Sequence, residues 1–271
     1  MKFFKHSLVI LFCGVLFSAC NKSSEQGRTE QATLSDGSLL VTGFGACDTV
    51  KNQGVSISVQ LWQPSAGGNA ASAISDNIVA KSIKIVNSFA DSASIAANPA
   101  AKTSLKGAYQ VFEKNYLDFK KSAPDAPGCW QVELKGDTVM VTNKVLFYQI
   151  DNYAFTGGAH PNSFLSYHAF DTTTGDETPM SKFVSDSTAL LKLVEKKFRE
   201  IEKLTPGANL EDAGYFLLNH QFFLPANYVF TREGILFNYN PYEIAAYVRG
   251  HINFVIPYSE LKGIVKQESV F

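Results

Sequence analysis

The chain has 271 residues, with 24 Lys and Arg against 25 Asp and Glu, a formal net charge of -1 and 45% hydrophobic residues. It carries no basic block and no interleaving of aromatic with basic side chains, which argues against a nucleic-acid partner. Its length is enough for one sizeable core or two closely packed halves.

The first residues speak to location. Lys2 and Lys5 precede an uncharged apolar run from Ser7 to Phe17. That run is too short to cross roughly 30 Å of hydrocarbon and has the form of a secretory signal, residues 1–19. Ser18 and Ala19 ahead of Cys20 resemble a bacterial lipobox. The resemblance implies cleavage before Cys20, lipid on that residue, and a mature protein anchored to a membrane outside the cytoplasm, periplasmic or surface-facing. A plain signal peptide cut nearby is the other reading. Loss of residues 1–19 removes Lys2 and Lys5 and no acid, leaving 22 basic against 25 acidic residues and a net charge of -3. Residues 20–37 are polar and read as a flexible tether.

Of the four cysteines, Cys13 leaves with the signal and Cys20 is the lipid site, so Cys47 and Cys129 remain. An even pair in an oxidising compartment favours a disulfide, with two separate buried thiols as the alternative. Their distance in sequence gives no zinc-site spacing.

In chain order, Val55, Ile57, Val59 and Leu61 alternate with polar residues and predict a half-buried strand. Ile74, Ile78, Ile85 and Phe89 stripe a first helix; Leu105, Tyr109, Phe112, Tyr116 and Phe119 stripe a second. Pro124 and Pro127 close this helical region. The period then changes to two: Trp130, Val132 and Leu134 form one run, Gly136-Asp137 reads as a hairpin turn, and Val139 to Phe155 as a long strand. Phe164 to Asp171 is a further strand, followed by a turn at Thr172 to Gly175. The stretch TGGAHPNS, Thr156 to Ser163, therefore lies between two strands, where glycines suit a chain reversal.

Leu190, Leu191, Val194, Phe198 and Ile201 mark an amphipathic helix capped by Ser185 or Ser187. Phe222 to Thr231 and Ile235 to Tyr239 read as a hairpin turning at Glu233-Gly234. A short helix near Pro241, a strand through Ile252, Phe254 and Ile256, and a last short helix at Pro257 to Leu261 complete the chain. Helices and strands come in blocks, which predicts an α+β fold with antiparallel sheets packed against amphipathic helices, in two associated halves at residues 38–175 and 176–271.

Four stretches carry a family resemblance: Tyr153 to His160, Phe170 to Gly175, Phe237 to Ala245, and Val255 to Leu261. Together they resemble the extracytoplasmic domain of the lysozyme-sensing anti-sigma factor RsiV and the noncatalytic module ahead of the deacetylase domain of PdaC, over roughly Leu40 to Val265. The resemblance implies an α+β domain that recognises a lysozyme-like protein or a cell-wall glycan such as a peptidoglycan fragment. Anti-sigma activity is not implied, since only Met1 to His6 precede the apolar run. Deacetylase activity belongs to a separate domain of PdaC.

Two classes of function compete. A metal-dependent hydrolase or deacetylase acting on wall glycans would need two histidines and a carboxylate on one ion. His160, His168 and Asp171 are the local candidates, but His168 and Asp171 sit an odd number of positions apart and face opposite sides of a strand. No cofactor is indicated. The expected function is a noncatalytic, lipid-anchored binding protein, with a structural envelope lipoprotein as a further possibility; oligomeric state is open. Candidate ligand contacts are His160, Asn162, Tyr242, Glu243 and Tyr247. For His160 the competing role is a ring that hydrogen-bonds nearby backbone and holds the turn. For Asn240 to Glu243 it is a helix cap, with Asn240 at the N-cap, Pro241 at the first position and Glu243 closing the box.

Overall fold

A computed structural model of the chain describes residues 34–65, 68–126 and 128–271. The expected signal peptide, the lipid site Cys20, the tether up to residue 33, and Pro127 lie outside the described residues. Leu34, which the sequence places in the tether, is buried in the first core.

Val55, Ile57, Val59 and Leu61 put all their side chains on one face of β2 (Gln53–Pro64) and are buried there. β2 is flanked by β1 (Gly37–Asp48), antiparallel, and by β3 (Trp130–Val141), parallel. β1 escapes a period-two reading because Gly43 and Gly45 interrupt its alternation. The parallel step needs a long crossover. Residues 65–129 supply it, with helices α1 (Gly68–Asn87), α2 (Ser92–Ala97) and α3 (Leu105–Ser122). β4 (Val145–Phe155) and β5 (Asn162–Asp171) continue antiparallel, giving a five-stranded sheet ordered β1-β2-β3-β4-β5. The class is the expected α+β, with one parallel pair among the antiparallel ones.

Burial on the helices follows the stripes with one shift. On α1, Ile74 and Ile78 are buried as expected, but Ile83 and Val86 take the lower positions; Ile85 is half-buried and Phe89 lies past the helix end. On α3, Leu105, Phe112 and Tyr116 face the sheet, and Ser104 caps the helix by accepting from the Gly107 N–H at 3.0 Å.

Gly136-Asp137 is not a turn. β3 runs through it to Val141, with a bulge at residue 139, and the chain reverses at Thr142 to Lys144. Gly136 answers to packing instead: a Cβ there would come within 2.3 Å of the Tyr148 hydroxyl and 2.8 Å of Leu61. Tyr148 fills that space and donates to the Trp62 carbonyl at 2.8 Å.

Cys47 and Cys129 are joined as a disulfide, Cα atoms 5.4 Å apart, tying the end of β1 to the start of β3 across 82 residues of sequence.

In the second half, α4 (Ser187–Ile201) is capped by Asp186, whose carboxylate accepts from the Ala189 N–H at 2.8 Å. Neither Ser185 nor Ser187 caps it; Ser187 is already inside the helix. A three-stranded antiparallel sheet follows, ordered β6 (Asn227–Phe230), β7 (Gly234–Tyr239), β8 (Ile252–Pro257). β6 starts five residues later than Phe222, because Pro225 has no N–H for a ladder and the Ala226 N–H is held by Glu243. Neither short helix forms. Asn240 to Ile244 is a turn in which Tyr242 takes φ +68°, incompatible with a right-handed helix, and Pro257 to Leu261 is a pair of overlapping turns.

β4 joins the two cores. Leu146, Tyr148 and Ile150 face α1 and α3, while Val145 and Phe147 face the second sheet and α4. Burial on both faces erases the alternation expected of a half-exposed strand. Phe147 packs against Phe183 and Phe230 at 5.8 and 5.7 Å between ring centroids.

Candidate functional site

The turn between β4 and β5 and the loop between β7 and β8 come together at the surface. Gly157 takes φ +85°, and a Cβ there would lie 3.2 Å from the Trp130 indole nitrogen. The turn thus needs Gly157, which lets the chain lie close over the aromatic group of Trp130 with Phe112, Tyr116 and Phe119. Gly158 has no such constraint.

The turn presents His160 to two tyrosines from the other half of the chain. The His160 ring stacks on Tyr247, centroids 3.7 Å apart and planes 14° from parallel. Tyr242 closes the group at 6.1 Å from His160 and 5.7 Å from Tyr247. His160 Nδ1 lies 3.3 Å from the Pro161 carbonyl, and Nε2 lies 3.2 Å from the Tyr242 hydroxyl. A carbonyl only accepts, so Nδ1 donates to it, and in the neutral ring Nε2 is then the nitrogen that accepts from the tyrosine. The ring thus takes the turn-holding role weighed for His160, through neighbouring backbone, and also forms part of an aromatic shelf. Tyr242 remains 52% exposed, so the shelf faces solvent.

An amide clamp beneath the shelf holds the two loops in register. Asn240 Oδ1 accepts from the Leu165 N–H at 2.8 Å, and its Nδ2 donates to the Leu165 carbonyl at 3.0 Å. This side chain, almost fully buried, mimics a strand partner for β5. Asn238 donates to the same Oδ1 at 3.2 Å. Asn240 is thus a bridge between the sheets and caps no helix. Glu243, expected at the ligand or in a capping box, keeps one half of the box: Oε2 accepts from the Asn240 N–H at 2.9 Å, while Oε1 accepts from the Ala226 N–H at 2.8 Å. Both carboxylate oxygens are engaged by backbone, so Glu243 shapes the loop that carries Tyr242. Asn162 opens β5 opposite Ala154, two residues along from His160.

Arg249 anchors the other side of the loop. It pairs with Glu202 at 3.2 Å, donates to the Tyr215 hydroxyl at 3.1 Å, and lies over the Tyr215 ring at 5.4 Å. Burial, with the hydrogen bond to Glu202, pushes the Tyr215 hydroxyl up to about 12, so it stays protonated at any ordinary pH. The same bracket sets out exposed apolar side chains that sequence reading missed: Val248, 90% exposed, and Phe216 and Leu218 on a segment that pairs with the loop through Tyr215 and Ala245. A lone apolar residue in a turn carries no periodicity, so nothing in the sequence marked them.

The residues considered for a metal do not converge. His168 sits on β5 with Nδ1 3.0 Å from Glu177 and Nε2 3.2 Å from Ser166, and Lys81 pairs with the same Glu177 at 2.7 Å. Burial, then the Lys81 charge, hold the His168 pKa below its ordinary value. Asp171 instead accepts from the Thr173 and Thr174 N–H groups in the next turn. Among the described residues, no group of three or more His, Cys, Asp or Glu is placed to hold a metal ion.

Comparison with known proteins agrees with the resemblance read from the motifs. Residues 50–163 match the family model described as deacetylase PdaC, and residues 183–259 match that of a protein family of unknown function, DUF3298. His160 falls in the first match and Tyr242 and Tyr247 in the second, so the shelf is built from both. A DUF3298 family protein from Bacteroides fragilis is similar in structure at TM-score 0.60 and 18% identity, covering 85% of this chain and 94% of its own. One from Pseudomonas aeruginosa is similar at TM-score 0.56 and 20% identity, with the same coverages. These likenesses establish the shared fold. No curated protein matches the chain.

Proposed function

We propose that this chain, with its PdaC-like and DUF3298 segments, is a noncatalytic binding module. It is held outside the cytoplasm by lipid on Cys20 and takes a lysozyme-like protein or a peptidoglycan fragment on the shelf of His160, Tyr242 and Tyr247. The observation that carries the reading is the stacked His160–Tyr247 pair with exposed Tyr242 beside it. Aromatic rings of this kind offer apolar area with a polar tip and lose little side-chain entropy on binding, which suits both sugar rings and protein surfaces. Clamped by Asn240 and bracketed by Arg249, the shelf is organised before the ligand arrives, which lowers the ordering cost of association.

The test is calorimetric titration of the full chain in detergent with lysozymes and with soluble peptidoglycan fragments, with and without chelator. Wild type should bind at least one of them with affinity unchanged by chelator, and Tyr242→Ala should weaken it about tenfold, near 1.4 kcal/mol. No binding to either class, or binding indifferent to Tyr242→Ala and Tyr247→Ala, removes the shelf from consideration. Acetate release or glycan cleavage that requires metal and disappears in His160→Ala would replace the binding reading with the hydrolase one.

A further inference from the structure

The two edges of the five-stranded sheet are treated differently. β5 is engaged at three points along its outer edge: Asn240 bonds Leu165 in both directions, the Thr178 N–H donates to the Ala169 carbonyl at 2.8 Å, and the Asp171 N–H donates to the Asp176 carbonyl at 2.9 Å. At the opposite edge, β1 is 12 residues long, and among the described residues its backbone bonds only within the β1–β2 ladder. Proteins blunt such edges with charge, proline or short strands. β1 uses none of these: it has no proline, and its only charged residue is the last, Asp48. Leu39 and Val41, 55% and 63% exposed, lie on the face turned away from the helices, while Leu40 and Phe44 pack on the first core.

We propose that β1 is a dimerisation edge at which a second copy of this chain pairs antiparallel across a two-fold axis, joining two five-stranded sheets into one. The register follows from the residues. Asp36 and Asp48 flank the strand, and a two-fold centred on Thr42 would set each against the other's copy, an unfavourable like-charge pair on both sides. Gly45 at φ +70° ends the regular extended run. Centring on Leu40 avoids both problems. It sets Leu39 against Val41 twice on the open face, Leu40 against Leu40 on the helix side, and Ser38 against Thr42, and it leaves Asp48 outside the pairing. A neutral edge whose apolar residues match their own reversed order suits an isologous contact, in which each patch meets itself. The paired segment is short, so the dimer is of the weak class.

The experiment uses the full chain. In detergent, light scattering up to about 100 μM should show wild type moving from monomer to dimer with concentration, and Val41→Lys should raise the dimer Kd at least tenfold without lowering the melting temperature, since the side chain is exposed. In membranes, copies carrying Leu39→Cys mixed with copies carrying Val41→Cys should cross-link under mild oxidation, whereas Leu39→Cys mixed with Leu117→Cys, at an exposed position on α3, should not. A wild type monomeric throughout, a dimer indifferent to Val41→Lys, or cross-linking equal in the two mixtures overturns the proposal. None of these results bears on ligand binding at the aromatic shelf, which lies beyond the far edge of the sheet.

Discussion

Replacing Asn240 by alanine tests whether the amide clamp holds the two sheets in register. The side chain makes three hydrogen bonds, two with Leu165 and one from Asn238, from a position almost fully buried. At about 1 kcal/mol net each, the loss is about 3 kcal/mol, with Leu165 left as an unpaired N–H and C=O. A folded body of roughly 240 residues carries an unfolding entropy of about 0.5 kcal/mol per degree at roughly 2.1 cal/mol/K per residue, so the melting temperature should fall by about 6 °C. Urea unfolding should show a lower midpoint at unchanged slope. The functional consequence is read separately in the proton shifts of the His160 ring, which the stacked Tyr247 moves upfield and which should relax toward unstacked values as the loops lose registry. A melting temperature within about 1 °C of wild type, together with unshifted His160 resonances, would refute the bridging role.

Removing the Cys47–Cys129 disulfide as the double serine variant should cost about 4.5 kcal/mol in the chain-entropy model for a separation of 82 residues, seen as a melting temperature about 9 °C lower; two titratable thiols in protein purified under oxidising conditions would show that the bond does not form. Burial and Lys81 lower the pKa of His168 in the fold, while the unfolded chain takes up that proton near pH 6.5. Unfolding therefore binds a proton as pH falls below about 6.5, and stability should decline from there to the folded pKa, a slope that His168→Gln should flatten and that is absent if His168 titrates normally. Labelled palmitate should enter the wild type, and Cys20→Ala should lose both label and membrane retention; a Cys20→Ala protein that stays membrane-bound with label elsewhere ends the lipoprotein reading.

Where burial is one-sided and local, the sequence determined the outcome by itself. The alternation of β2, the stripe of α3, the reversal at Gly157 and the hairpin at Glu233-Gly234 each depend on a period or a backbone preference carried by adjacent residues. The α+β class and the family resemblance were legible for the same reason. What only the tertiary structure decided involves partners distant in the chain. Gly136 looks like a turn residue until Tyr148 occupies the space above it. Asn240-Pro241-Tyr242-Glu243 has the composition of a helix start, but a buried Asn amide gains more by satisfying Leu165, 75 residues away, than by capping a short helix, and Tyr242 takes φ +68° as part of that turn. His160, Tyr242 and Tyr247 could each be singled out as polar or aromatic residues near turns, yet nothing local requires a histidine from one half to stack on a tyrosine from the other. That contact exists because β4 is buried on both faces and binds the two cores together, a property visible only once both neighbours of the strand are in place.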